Sequence, residues 1–159
     1  MYDTKSIHIA QYVVNYLIDD GNPVSLMQLQ SILWFADALS VYQTGNRIFE
    51  ESFVAYPLGP RLLSVQHEFF GYGPEPILRR RENENISDEV SQFLRTVIPY
   101  CLQQDKSTLS EMTRVRGGSF KKTYRDGTGR DQIIDGPRPE DLEPLQMYLA
   151  DIPIFNMVL

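Results

Sequence analysis

The chain has 159 residues, 42% of them apolar and 11% aromatic, enough for one domain with a real core and too apolar for a disordered chain. Its formal charge is −6, and its single cysteine, Cys101, excludes an internal disulfide or a multi-cysteine metal site. No apolar run reaches the length of a membrane span, and MYDTKSIHIAQY lacks the basic-then-apolar pattern of a secretory leader, so the expected compartment is the cytoplasm.

Ile7, Ala10, Val14, Leu17 and Ile18 recur at helical spacing and predict a helix over 6–19, ended by the turn chemistry of DDGNP. Ser25 with Gln28 three residues later forms a capping-box pattern that opens a second helix. That helix carries Leu26, Leu29, Ile32, Leu33, Ala36 and Leu39 on one side, with Trp34 expected to be partly buried and Gly45 as its stop. RIFEESFVAYP, residues 47–57, reads as two short strands or an extended arm. A turn is expected at Gly59-Pro60, with Pro60 as the first residue of a helix running to about Phe70 and burying Leu62, Leu63, Val65 or Gln66, and Phe69.

Residues 74–86 form a polar connector, after which Ser87 caps a helix with Val90, Phe93, Leu94, Val97 and Ile98 on its apolar side. Pro99 predicts a kink or break. Ser107 is the expected cap of a short helix bearing Leu109 and Met112, and five glycines mark 114–136 as a long loop. Pro139 opens a last helix with Leu142, Leu145, Met147 and Leu149, distorted by Pro144. The apolar end, IPIFNMVL, is expected to dock on the core, a second copy or a partner. The fold class that results is mainly α, one compact domain over 1–159 with a small extended element around 47–57.

Catalytic motifs are missing. His8 and His67 belong to no metal-ligand pattern, and the GxSxG, P-loop and GxGxxG patterns do not occur. The carboxylate pairs Asp19-Asp20 and Glu50-Glu51 are adjacent, and neighbours on a regular element point apart. The expectation is a protein that is not an enzyme and needs no cofactor or metal. Charge is unevenly spread: Arg114, Arg116, Lys121, Lys122, Arg125 and Arg130 face only Asp126 and Asp131, a local +4 that leaves −10 for the rest.

One ordered set carries more. LQSILWFA over 29–36 is followed by GNRIF over 45–49, then FVAY over 53–56, Gly59-Pro60, and Gly71-Tyr72-Gly73. This order resembles the Panacea domain, the SocA-like antitoxin family of phage-associated proteins. The resemblance spans roughly 5–150 and is specific over 26–73. Its motif and core positions here are Leu29, Leu33, Trp34, Phe53, Gly59, Pro60 and Phe69. Departures are Ser31 for a lysine, Arg61 for an aliphatic residue, and Arg114 for a histidine with no tryptophan after it.

The resemblance implies an antitoxin of a toxin–antitoxin system that neutralises a cognate protein toxin by direct binding. It also admits delivery of that toxin to a Clp-type protease, the route of the founding member. Candidate partner-binding residues are Arg61 and Tyr72 on the elbow over 55–74, and Arg114, Arg116, Lys121, Lys122, Tyr124 and Arg125 on the basic strip. Phe53, Tyr56, Phe69, Phe70 and Tyr72 are expected to close the core over the second helix. The alternative is a nucleic-acid-binding or regulatory protein using 114–130, where Phe120 and Tyr124 interleave with cations. The acidic remainder argues against it by repelling a polyanion. A hydrolase with dispersed residues is a third reading, and self-association remains open.

Overall fold

A computed structural model describes residues 6–82, 85–125, 131–134 and 136–153. The order is α1 (Ser6–Asp19), α2 (Leu26–Thr44), β1 (Val54–Tyr56), β2 (Gly59–Arg61), α3 (Leu63–Phe69), a 3-10 turn (Phe70–Tyr72), α4 (Asp88–Leu102), α5 (Lys106–Met112), α6 (Ser119–Thr123) and a 3-10 helix (Pro139–Tyr148). The fold is mainly α, with one small antiparallel hairpin.

The second helix is its axis. The Ser25 hydroxyl accepts from the Gln28 N–H, the Gln28 side chain accepts from the Ser25 N–H, and Gly45 ends the helix at φ 79°. The one-sided apolar face expected for α2 is not what forms. Leu29, Ile32 and Leu33 are buried, but so are Gln30, Trp34, Phe35, Asp37, Ala38 and Ser40. The reason is that α1, α3, α4, α5, β2 and the last 3-10 helix all pack around it. Trp34 is fully rather than partly buried, edge-on to Phe53 at 5.0 Å. Asp37 is 0% exposed inside α2, and it accepts from Arg47 Nε at 2.7 Å and from the Ile48 N–H at 2.7 Å.

The first helix matches its predicted span, but its buried face is Ile9, Ala10, Val13, Val14 and Leu17, with Ile7 only half-buried. α4 runs unbroken through Pro99, so the expected break does not occur. Pro99 and Arg95, whose carbonyl the proline leaves without its helical donor, both lie on the exposed side, where water can take the bond. The cap of α5 is Asp105, whose side chain accepts from the Thr108 N–H at 2.8 Å, not Ser107. The expected loop over 114–136 contains α6. Pro144 distorts the last helix as predicted, leaving it 3-10; Leu142 and Leu145 are buried and Met147 is 76% exposed. The connector is pinned in two places: the Ile77 N–H bonds Val24 O at 2.8 Å, and the Asn15 side chain pairs with both backbone groups of Arg81 at 2.6 and 2.7 Å. At the apolar end, Ile152 is buried and Pro153 O accepts from Gln43 Nε2 at 2.9 Å; the expectation for residues 154–159 lies outside the described residues. Among the described residues no helix is long and apolar enough to cross a membrane.

Candidate functional site

The elbow is a hairpin, not the predicted turn into a helix. Pro57 and Leu58 make the turn, and Pro60 sits in β2 opposite Ala55. The Ala55 N–H points away from β2 and bonds Asp131 O at 2.9 Å, so the Ala55–Pro60 pair exchanges no ladder bond and the donor that proline lacks is not needed there. Gly59 has φ 137°, and a Cβ on it would stand 3.0 Å from Thr113 Oγ1. The Ser110 hydroxyl donates to Leu58 O at 2.9 Å, so α5 holds the turn from the side.

Two side chains from distant sequence hold it from below. Buried Gln30 donates from Nε2 to Leu62 O at 3.0 Å and accepts from the Leu62 N–H at 2.9 Å, acting as one rung of an extra strand. Leu62 gives α3 no side-chain cap; the Glu51 carboxylate supplies it by accepting from the Ser64 N–H at 3.0 Å and from the Ser64 hydroxyl. Gln30 and Glu51 escaped sequence reasoning, because their partners lie 32 and 13 positions away.

With its base fixed, the elbow turns apolar groups outward. Phe53 and Phe69 are buried as expected, but Phe70 is 72% exposed and Leu58 55%. Leu63 is also exposed, correcting its predicted burial. The chain tightens to 3-10 after Phe69, which swings Phe70 off the inner face. Beside it lies a groove of about 640 Å³ bordered by Met27, Leu58, Arg61, Gln66, Phe70 and Lys106 among others. Arg61 is half-buried, donates to Gln66 Oε1 at 2.7 Å and lies 5.7 Å from the Tyr56 ring centre. Burial lowers its pKa from the ordinary arginine value while Tyr56 acts the other way, and the guanidinium stays cationic at neutral pH.

Tyr72 is less available than its sequence context implied. It is half-buried, tilted against Phe69 at 6.5 Å, and the Arg81 guanidinium lies over both rings, at 4.6 Å from Phe69 and 5.8 Å from Tyr72. Arg81 also approaches Glu68 at 3.5 Å.

The basic strip is a separate surface, and none of its residues borders the groove. Arg116, Lys121, Lys122 and Arg125 are exposed, whereas Arg114 is half-buried with Nε 3.4 Å from Ser110 O. Tyr124 stacks on Phe120 at 5.2 Å, and Phe120 is buried. Arg130 lies outside the described residues. The strip is held by Asp141, 0% exposed, which accepts from the Ser119 N–H at 2.9 Å, the Ser119 hydroxyl at 2.7 Å and the Arg138 N–H at 2.7 Å. Gly118 permits that approach, since a Cβ there would meet Asp141 Oδ1 at 2.5 Å. Among the described residues no group of three or more His, Cys, Asp or Glu is placed to hold a metal ion.

The family model of the antitoxin SocA-like Panacea domain matches residues 29–116. The chain belongs to this family. The match begins at Leu29 within α2, takes in the hairpin, α3, α4 and α5, and stops before α6. It is narrower than the 5–150 of the sequence resemblance and wider than its 26–73. No curated protein and no solved structure matches the chain.

Proposed function

We propose that this Panacea-domain protein is a non-enzymatic antitoxin that neutralises a partner toxin by direct protein–protein binding, with the outer face of the elbow as its main contact. The observation that supports this face is the exposure of Phe70 and Leu58 beside half-buried Arg61, on a hairpin braced by Gln30, Glu51 and Ser110. A large apolar side chain, an arginine and a rigid base are the ingredients of an interface hot spot, because little conformational entropy remains to be lost on binding. The proposed compartment is the cytoplasm, on the sequence grounds given above.

The test is co-expression with each adjacent gene. One neighbour should arrest growth alone, be tolerated beside this protein, and co-purify with it. If no neighbour is toxic and none co-purifies, the antitoxin reading falls.

The basic strip supports a secondary role in encounter. Lys121 and Lys122 are exposed on α6 and have no carboxylate within 4 Å among the described residues. Changing both to Glu should slow association with the toxin at low salt and leave it nearly unchanged at high salt. An unchanged rate at low salt removes the strip from the mechanism. The nucleic-acid alternative loses Phe120 as a stacking ring, because that side chain is buried beneath Tyr124.

A further inference from the structure

The groove beside Phe70 has a chemistry more specific than an apolar patch. Its volume of about 640 Å³ falls in the range of ligand-sized clefts, roughly 300–1,000 Å³. Its charged border residues are Arg61 and Lys106, both cations, and no acidic side chain borders it. Neither has a carboxylate within 4 Å among the described residues, although the chain as a whole carries −6. Arg61 uses one nitrogen on Gln66 and rests beside the Tyr56 ring, so most of its five donors are left over. Gly71, also on the border, is not there for backbone reasons: its φ is not positive, and a Cβ on it would meet nothing within 4 Å.

We propose that this groove binds a short extended segment of the partner toxin in which a bulky apolar side chain is flanked by Asp or Glu. The apolar side chain packs on Leu58, Met27 and Phe70. The flanking carboxylates meet Arg61, which offers a planar fork for two parallel bonds, and Lys106, which offers a point charge. Charge complementarity selects this occupant over a basic helix or a second copy's cationic strip, both of which two unpaired cations repel. The identification of the segment's owner rests on the antitoxin reading; the chemistry of the groove does not.

The probe is a fluorescein-labelled synthetic peptide with a Leu-Phe pair between aspartates, read by fluorescence anisotropy. Its controls carry lysines for the aspartates or serines for the Leu-Phe pair. The acidic apolar peptide should bind, and each control should bind at least about tenfold more weakly. Lys106→Glu and Phe70→Ser, both at exposed positions that leave the core untouched, should each weaken binding by about 5–10-fold. Raised salt should weaken the wild-type protein more than Lys106→Glu. Equal binding of acidic and basic peptides, no effect of either substitution, or displacement of the peptide by a single-stranded oligonucleotide overturns the proposal. The toxin itself separates the two claims. A neighbour neutralised equally well by wild type, Lys106→Glu and Phe70→Ser upholds the antitoxin reading and sinks the groove. Selective peptide binding with no toxic neighbour upholds the groove and sinks the antitoxin reading.

Discussion

Replacing Gln30 with leucine tests whether one buried amide holds the elbow. Leu62 is 0% exposed; its N–H donates to Gln30 Oε1 at 2.9 Å, and its carbonyl is shared between Gln30 Nε2 and the Gln66 N–H, each at 3.0 Å. Leucine keeps most of the volume and removes both Gln30 bonds. The N–H is orphaned at about 1–3 kcal/mol while the carbonyl keeps its Gln66 bond, so the net loss is roughly 1–2 kcal/mol once about 1 kcal/mol of apolar gain is set against it. Against a total stability of about 5–15 kcal/mol this is measurable, and it lowers the urea midpoint by roughly 0.5–1 M. Gln30→Glu sharpens the test. Its carboxylate still accepts from the Leu62 N–H but faces Leu62 O with no proton to donate. Burial raises the folded pKa of such a carboxyl above its unfolded value. The sign follows from linkage: the acid form is stabilising at low pH, and that stability is lost as pH rises through the folded pKa. Gln30→Glu should therefore approach wild type near pH 4 and fall away toward pH 7. Urea unfolding across that range measures it, with amide exchange at Leu62 as the local readout. A Gln30→Leu unfolding free energy within about 0.5 kcal/mol of wild type refutes the account of the elbow.

Leu33→Ala should cost about 2–5 kcal/mol, since Leu33 is wholly buried on the central helix; circular dichroism melting checks it. Gly136→Ala should cost about 2–4 kcal/mol, because Gly136 has φ 65° and a Cβ there would stand 2.5 Å from Arg47 Nε, pushing that guanidinium off Asp37. Burial already raises the Asp37 pKa against the pull of Arg47, so this loss should be larger at pH 7 than at pH 4 in urea unfolding. Cys101 is buried, and its thiol pKa is raised by burial from 9.0 to about 12. It should resist thiol reagents until the protein unfolds. Between pH 9 and pH 12 stability should also fall with rising pH, by up to about 1.4 kcal/mol per unit, a slope that Cys101→Ala removes.

Local chemistry was legible in the sequence, and pairing across the fold was not. The capping box at Ser25 and Gln28, the stop at Gly45 and the cap at Ser87 each depend on residues within four positions of one another, so the chain states them outright. Pro60 was misread because a proline after glycine suits a helix start equally well. Only the Ala55–Asp131 bond, 76 positions apart, shows that its missing N–H faces away from β1. The one-sided face assigned to α2 failed for a related reason: Gln30, Asp37 and Ser40 look like solvent residues until their partners at Leu62, Arg47 and Asn46 are known. At the candidate site, Arg61 was singled out by type. Phe70 was assigned to the core on composition, and a 3-10 step after Phe69 turned it outward. Lys106 came to the groove only through the packing of α5 against the hairpin turn.

The same contrast decides the last prediction, which concerns α6. This helix has five residues, too few to hold itself together, since a helical nucleus is unfavourable until several bonds repay it. It carries Lys121 and Lys122, so its order fixes where those charges stand. The sequence showed only a glycine-bearing loop, because the residue that orders it, Asp141, lies 22 positions away from Ser119. Asp141 accepts three bonds with no donor of its own, so the asparagine variant presents an NH₂ where a carboxylate oxygen stood. With its oxygen in the Oδ2 place the variant keeps the Ser119 hydroxyl and the Arg138 N–H and sets its NH₂ against the Ser119 N–H, so the bond at the start of α6 is lost, at about 1–3 kcal/mol. The loss should be local. Amide exchange over 119–123 should speed by about tenfold or more, while amides in α2 and α4 change only as the global stability does. If the basic strip steers the toxin, Asp141→Asn should also slow association at low salt, although no cation has been removed. Exchange that rises uniformly across α2, α4 and α6 would show Asp141 to be a general core residue. Exchange that does not rise in α6 at all would show that the helix is held by Phe120 alone, and either result ends the case for a carboxylate lock.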